Sequence, residues 1–149
     1  MHSQPVTALS WHTSGQQFIS GHENGSVRVW AARSPDASIM DVNVTMEQSR
    51  RSPITGLAWS RAGGPARAKD AASIMVAGGL CSYEPAGVVI LHGENYKERI
   101  LIPFDGECDE FIVAYDNPYV DVQSDPLGII ARSGNSITVH DVLFKKGYV

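Results

Sequence analysis

Apolar side chains alternate with small or polar ones along Val6-Thr7-Ala8-Leu9-Ser10-Trp11, and the same alternation returns 48 residues later as Ile54-Thr55-Gly56-Leu57-Ala58-Trp59. A period of two marks a half-buried strand, so each copy opens on one. A second strand follows in each, Phe18-Ile19-Ser20-Gly21 and then Ile74-Met75-Val76-Ala77, the latter running into Gly78-Gly79. A third closes each copy, as Ser26-Val27-Arg28-Val29-Trp30 and as Gly87-Val88-Val89-Ile90-Leu91-His92. A weaker third unit ends the chain, with Leu127-Gly128-Ile129-Ile130-Ala131, a turn over Ser133-Gly134-Asn135-Ser136, and Ile137-Thr138-Val139-His140-Asp141. Asn24-Gly25 between two strand-like runs predicts a two-residue type I′ hairpin, because both residues accept positive φ. No long segment has helical periodicity, and 14 Gly with 8 Pro interrupt the chain too often for a helical bundle. The pattern therefore predicts an all-β chain, with at least three strands in each of the first two units.

Units of this length, with Asn-Gly ahead of a strand that ends in Trp, resemble the blades of a WD-type β-propeller. The expected units are residues 6–48, 54–104 and 108–144. The resemblance is to a divergent blade, since Ala31 follows Trp30 where the name-giving dipeptide has Asp, and only the third unit ends on an aspartate, Asp141. Trp11, Trp30 and Trp59 are expected to be buried against neighbouring strands, with Asn24 and Gly25 in the turn and the pair Gly78-Gly79 ending a strand. A closed propeller needs at least four blades of ~40 residues. The 149 residues supply about three, so the chain reads as an incomplete propeller, a fragment or a short form. Such an array leaves two apolar faces open and should be marginal or sticky alone.

Composition narrows the function. Twelve Lys+Arg against sixteen Asp+Glu give a net charge of -4, which provides no basic field for nucleic acid or an anionic membrane. No apolar run approaches the roughly 18 residues of a membrane span, and no secretory signal is visible. Two cysteines, Cys81 and Cys108, point to a reducing compartment. The charge is uneven: Arg50, Arg51, Arg61, Arg67 and Lys69 form a basic stretch, and seven acids between Asp105 and Asp125 include no Lys or Arg. Both runs read as solvated loops of one domain, with a partner-facing acidic rim as the other reading.

The candidate chemistry is thin. His2, His12, His22, His92 and His140 are scattered without the close His or Cys pairs of a zinc site, so no metal is expected. There is no nucleophile elbow, and Cys81 beside the glycine pair reads as a small, partly buried thiol. Asp109 and Glu110 are adjacent and would point to opposite faces of a strand. Gly78-Gly79 lacks the spacing of a phosphate cradle, so no cofactor is expected. Ser49-Arg50-Arg51-Ser52-Pro53 suits basophilic or proline-directed kinases, with a plain linker as the other reading.

The succession from Val6 through His12, Gly15-Gln16-Gln17-Phe18 and Asn24 to Trp30 resembles one blade of the lethal giant larvae and tomosyn family. Ala77-Gly78-Gly79-Leu80-Cys81-Ser82-Tyr83, Val89-Ile90-Leu91-His92-Gly93, Asp116-Asn117-Pro118-Tyr119, Asp125 to Ile130 and Gly147-Tyr148 follow in that family's order. The resemblance implies a non-enzymatic scaffold that binds syntaxin-type SNARE proteins, with a Rab-type GTPase or myosin II as further partners. It implies a role in exocytosis, vesicle trafficking and cell polarity, exercised from the cytoplasm, the plasma-membrane periphery or the cell cortex. An unrelated WD-repeat adaptor of another multiprotein complex is the alternative.

Overall fold

The opening alternation forms β1 (Val6–Trp11), which pairs antiparallel with β2 (Gln17–His22), followed outward by β3 (Val27–Ala31) and a short β4 (Met40–Val42). These strands, and those below, come from a computed structural model that describes residues 4–12, 15–34, 36–45, 51–61, 72–115 and 126–141. The repeat builds a second four-stranded sheet in the same order, from β5 (Ile54–Arg61), β6 (Ala72–Gly78), β7 (Gly87–His92) and β8 (Glu98–Pro103). One 3₁₀ turn, η1 (Glu94–Tyr96), joins β7 to β8. The third sheet has β9 (Glu110–Tyr115), β10 (Pro126–Ser133) and β11 (Ser136–Asp141), with β10 in the middle. The chain is thus all-β, three antiparallel sheets consistent with the blades of a partial WD-type propeller.

The sequence repeat extends to an irregularity. Register shifts between Val6 and Ala8 against β2, and between Ile54 and Gly56 against β6, so Thr7 and Thr55 occupy matching bulges. The fourth strands, β4 and β8, escape the pattern read from the sequence. Three residues in β4 are too few to show a period.

The first hairpin corrects the expectation for Asn24-Gly25. Gly25 is left-handed at φ 80° but Asn24 is not, so the turn is not type I′. His22 and Ser26 close a three-residue loop instead: the His22 amide donates to the Ser26 carbonyl (3.0 Å) and the Gly25 amide to the His22 carbonyl (3.0 Å). This is the pattern of a turn followed by one left-handed residue in a bulge. Asn24 serves through its side chain, whose Oδ1 accepts from the Ser26 amide at 3.1 Å and hydroxyl at 2.6 Å. In the third sheet Ser133 pairs with Ser136 across Gly134-Asn135, with Gly134 at φ 58°, as a two-residue turn with glycine first requires.

Burial explains why β6 and β7 are apolar without alternation. Ile74, Val76, Val89 and Leu91 pack against Ile19, Val27, Val29 and Val42 of the first sheet and Val44 just beyond β4. Met75, Ala77, Val88 and Ile90 point the other way and pack with Cys108, Ile129 and Ala131 on the side of the third sheet. The middle sheet is buried on both faces, and a strand covered on both sides must be apolar at every position. Each such Val, Leu, Ile or Met side chain contributes about 1.5–3 kcal/mol. The first strands β1 and β5 lie side by side, with the Trp59 amide donating to Ser10 Oγ at 3.3 Å.

Candidate functional site

The three tryptophans divide. Trp30 and Trp59 are buried, at 8% and 6% exposure, but Trp11 is 64% exposed. The expectation that Trp11 is buried fails because, among the described residues, no second sheet lies over the face of the first sheet that carries it. Trp59, its repeat counterpart, is enclosed by His12 and by Tyr96 of η1, whose rings meet it edge-on at 4.7 and 5.9 Å.

Trp30 anchors a buried polar chain. Its indole Nε1–H donates to Ser20 Oγ at 2.8 Å, and Ser20 Oγ lies 2.9 Å from His22 Nε2. The other ring nitrogen of His22 faces the Gln4 carbonyl at 3.4 Å. A neutral ring satisfies both contacts with its proton on Nδ1, which leaves Nε2 to accept the serine hydrogen. β2 and β3 position all three residues, and His22 is 1% exposed. This histidine is structural, and its partners leave no ring nitrogen for a ligand.

Gly25 and Gly79, which the sequence holds far apart, meet at the junction of the first two sheets. A side chain on Gly25 would press on Arg51 Cβ (2.7 Å), the Ser52 carbonyl (2.8 Å) and Gly79 Cα (3.3 Å), and Gly79 is itself left-handed at φ 72°. Close backbone approach is therefore the role of these glycines. Ser52 ties the junction, its amide donating to the Leu80 carbonyl and its carbonyl accepting from the Gly79 amide, each at 3.0 Å.

Beside this junction, at one end of the second sheet, lies a cleft of about 500 Å³, a size that suits a ligand group or a peptide side chain. Its walls come from residues 51–55, 78–87 and 107–109 and include Arg51, Thr55, Cys81, Glu84, Cys108 and Asp109. Of the basic and acidic runs, Arg51, Glu107 and Asp109 line this same cleft, and the distal parts of both runs lie outside the described residues. Glu84 is engaged: Arg99 donates to it at 2.9 Å and the Cys81 amide at 3.1 Å. Asp109 accepts from the Gly134 amide at 2.7 Å. Asp109 precedes β9 and Glu110 begins it, so the two carboxylates bracket one cation, Arg132, at 3.6 and 3.7 Å rather than facing apart.

Neither thiol is set up as a nucleophile. Cys81 is buried, with its sulfur 3.5 Å from Thr45 Oγ1. Burial raises the pKa of Cys108 above the ordinary thiol value, with the Asp109 charge acting in the same direction and the Glu110 backbone against it. Among the described residues no three His, Cys, Asp or Glu side chains come together as a metal site. His92 pairs with Glu98 at 3.2 Å and His140 stacks on Phe104 at 4.0 Å; His2 lies outside the described residues. Ser52 is exposed at the cleft, and Ser49 is not among the described residues.

Sequence reasoning found the glycine pair and Cys81 but not the cleft. Arg51, Thr55, Glu84 and Cys108 meet only through packing between sheets, and no local spacing announces them. No helix among the described residues is long and apolar enough to cross a membrane. Compared with known families, residues 1–31, which contain β1, β2 and β3, match the WD domain, G-beta repeat.

Proposed function

We propose that the chain is part of a non-enzymatic protein-interaction scaffold whose partner is a syntaxin-type SNARE protein. The match of residues 1–31 to a WD repeat carries the scaffold reading, and the stacked antiparallel sheets agree with it. The SNARE reading rests on the order of motifs that resembles the lethal giant larvae and tomosyn family. In that reading the chain regulates exocytosis, vesicle trafficking and cell polarity from the cytoplasm or cell cortex, with a Rab-type GTPase or myosin II as further partners. The cleft walled by Ser52, Glu84 and Glu107 is the proposed contact surface.

A second reading, an unrelated WD-repeat adaptor of another complex, is favoured by Ala31, which ends β3 where the repeat's name-giving aspartate would stand. Titration of the immobilised chain with the cytoplasmic part of a syntaxin-type SNARE separates the two. The expected result is saturable binding that the exposed-site variants Ser52→Lys and Glu107→Lys weaken about tenfold, or 1.4 kcal/mol. Absence of binding removes the SNARE reading, and binding unchanged by both variants removes the cleft from it.

A further inference from the structure

Three arginines hold carboxylates within their own sheets: Arg28 pairs with Asp41 at 3.4 Å, Arg99 with Glu84 at 2.9 Å and Arg132 with Asp109 at 3.6 Å. Arg51 does not. Its side chain lines the cleft at the sheet junction, its Cβ packs beside Gly25, and its Nε is buried with no hydrogen-bond partner among the described residues. A buried donor left unpaired is uncommon, because it gives up its hydration without replacement. Yet carboxylates wall the same cleft. Two of them are already engaged, Glu84 by Arg99 and the Cys81 amide, and Asp109 by Arg132 and the Gly134 amide. Glu107, on the wall that precedes β9, is exposed and has no partner among the described residues.

The cleft therefore keeps an uncommitted charge of each sign, Arg51 on the wall that precedes β5 and Glu107 on the wall that precedes β9. A planar guanidinium with a packed stem suits a carboxylate, which it meets through parallel N–H donors. A phosphate dianion suits this cleft less, since Glu84, Glu107 and Asp109 share the lining and repel a second negative charge. We infer that the cleft takes a protein segment that carries an acidic and a basic side chain close together, the carboxylate on Arg51 and the cation on Glu107. Charge complementarity of this kind sets which segment fits, and a restrained arginine is the sort of residue that anchors an interface. The inference rests on the reading of the cleft as a contact surface, and not on which protein supplies the segment. The walls belong to the middle sheet and the segments that flank it, so neither outer sheet face enters the site.

The test follows the Arg51 Nε–H signal by NMR, identified by its absence in Arg51→Lys, while capped peptides are titrated into the 149-residue chain at low ionic strength. The probes are a glutamate joined to a lysine through glycine linkers of increasing length, the matching peptides with paired glutamates or paired lysines, and inorganic phosphate. A saturable shift is expected with the mixed peptide at a preferred linker length, about tenfold tighter than with either like-charged peptide. The exposed-site variant Glu107→Lys should reverse the preference, the paired-glutamate peptide then binding about tenfold tighter than the mixed one. Equal affinity for phosphate or paired glutamates in the wild-type chain overturns the inference. So does a preference that Glu107→Lys leaves unaltered, or the lack of a saturable shift with any probe. If the Arg51 signal responds as expected while the syntaxin-type fragment does not bind, the SNARE reading alone falls. If that fragment binds without moving the Arg51 signal, this inference alone falls.

Discussion

Trp11 and Trp30 both contact Phe18, at ring-centroid distances of 5.4 and 6.1 Å, yet only Trp30 is enclosed. Trp30→Ala is expected to cost about 3–5 kcal/mol, and Trp11→Ala less than about 0.5 kcal/mol. Urea denaturation of the two variants side by side checks the contrast. Ser20→Ala removes the hydroxyl that joins the indole N–H to the imidazole, a loss of about 0.5–1.5 kcal/mol for each hydrogen bond. At the sheet junction, Gly25→Val forces a β-branched side chain to φ 80° against the Ser52 carbonyl, with a cost of about 1–3 kcal/mol from the backbone alone. Burial raises Cys108 above its ordinary 9.0 and Tyr96 above 10.0. A raised pKa means that the folded state holds the proton more tightly than the unfolded chain. Their contribution is therefore complete below the ordinary thiol value and is lost as pH rises through the folded values. The denaturation midpoint should fall in the alkaline range, and Cys108→Ala should make that fall shallower.

At the scale of the element, equal register positions carry unequal weight according to what faces them. Ile19→Ala, between the first two sheets, is expected to cost about 2–5 kcal/mol. Ile137→Ala on β11, where the side chain is 73% exposed, should leave the stability within about 0.5 kcal/mol. Urea denaturation of the two variants distinguishes these effects. Strands with clear periods or glycine-bounded apolar runs were legible in the sequence, as were the repeat of β1 in β5 and the turn of the third sheet. β4 was not, because three residues carry no period, and the type of the first turn was not, because the Asn24 side chain removes the need for a second left-handed residue. The exposure of Trp11 depends on whether another sheet lies over it, which its own strand pattern cannot express.

For the whole molecule, the account rests on a stack in which one sheet is covered on both faces and the outer two on one face each. The cleft was illegible for a related reason: its walls come from three chain segments joined only by that stacking. Hydrogen–deuterium exchange resolved by strand reads the arrangement directly. Amides of β6 and β7 should exchange slowest, close to the global unfolding limit, with β1 and β11 faster at the two ends of the stack. Protection of β1 or β11 equal to or above that of β6 and β7 would contradict the account.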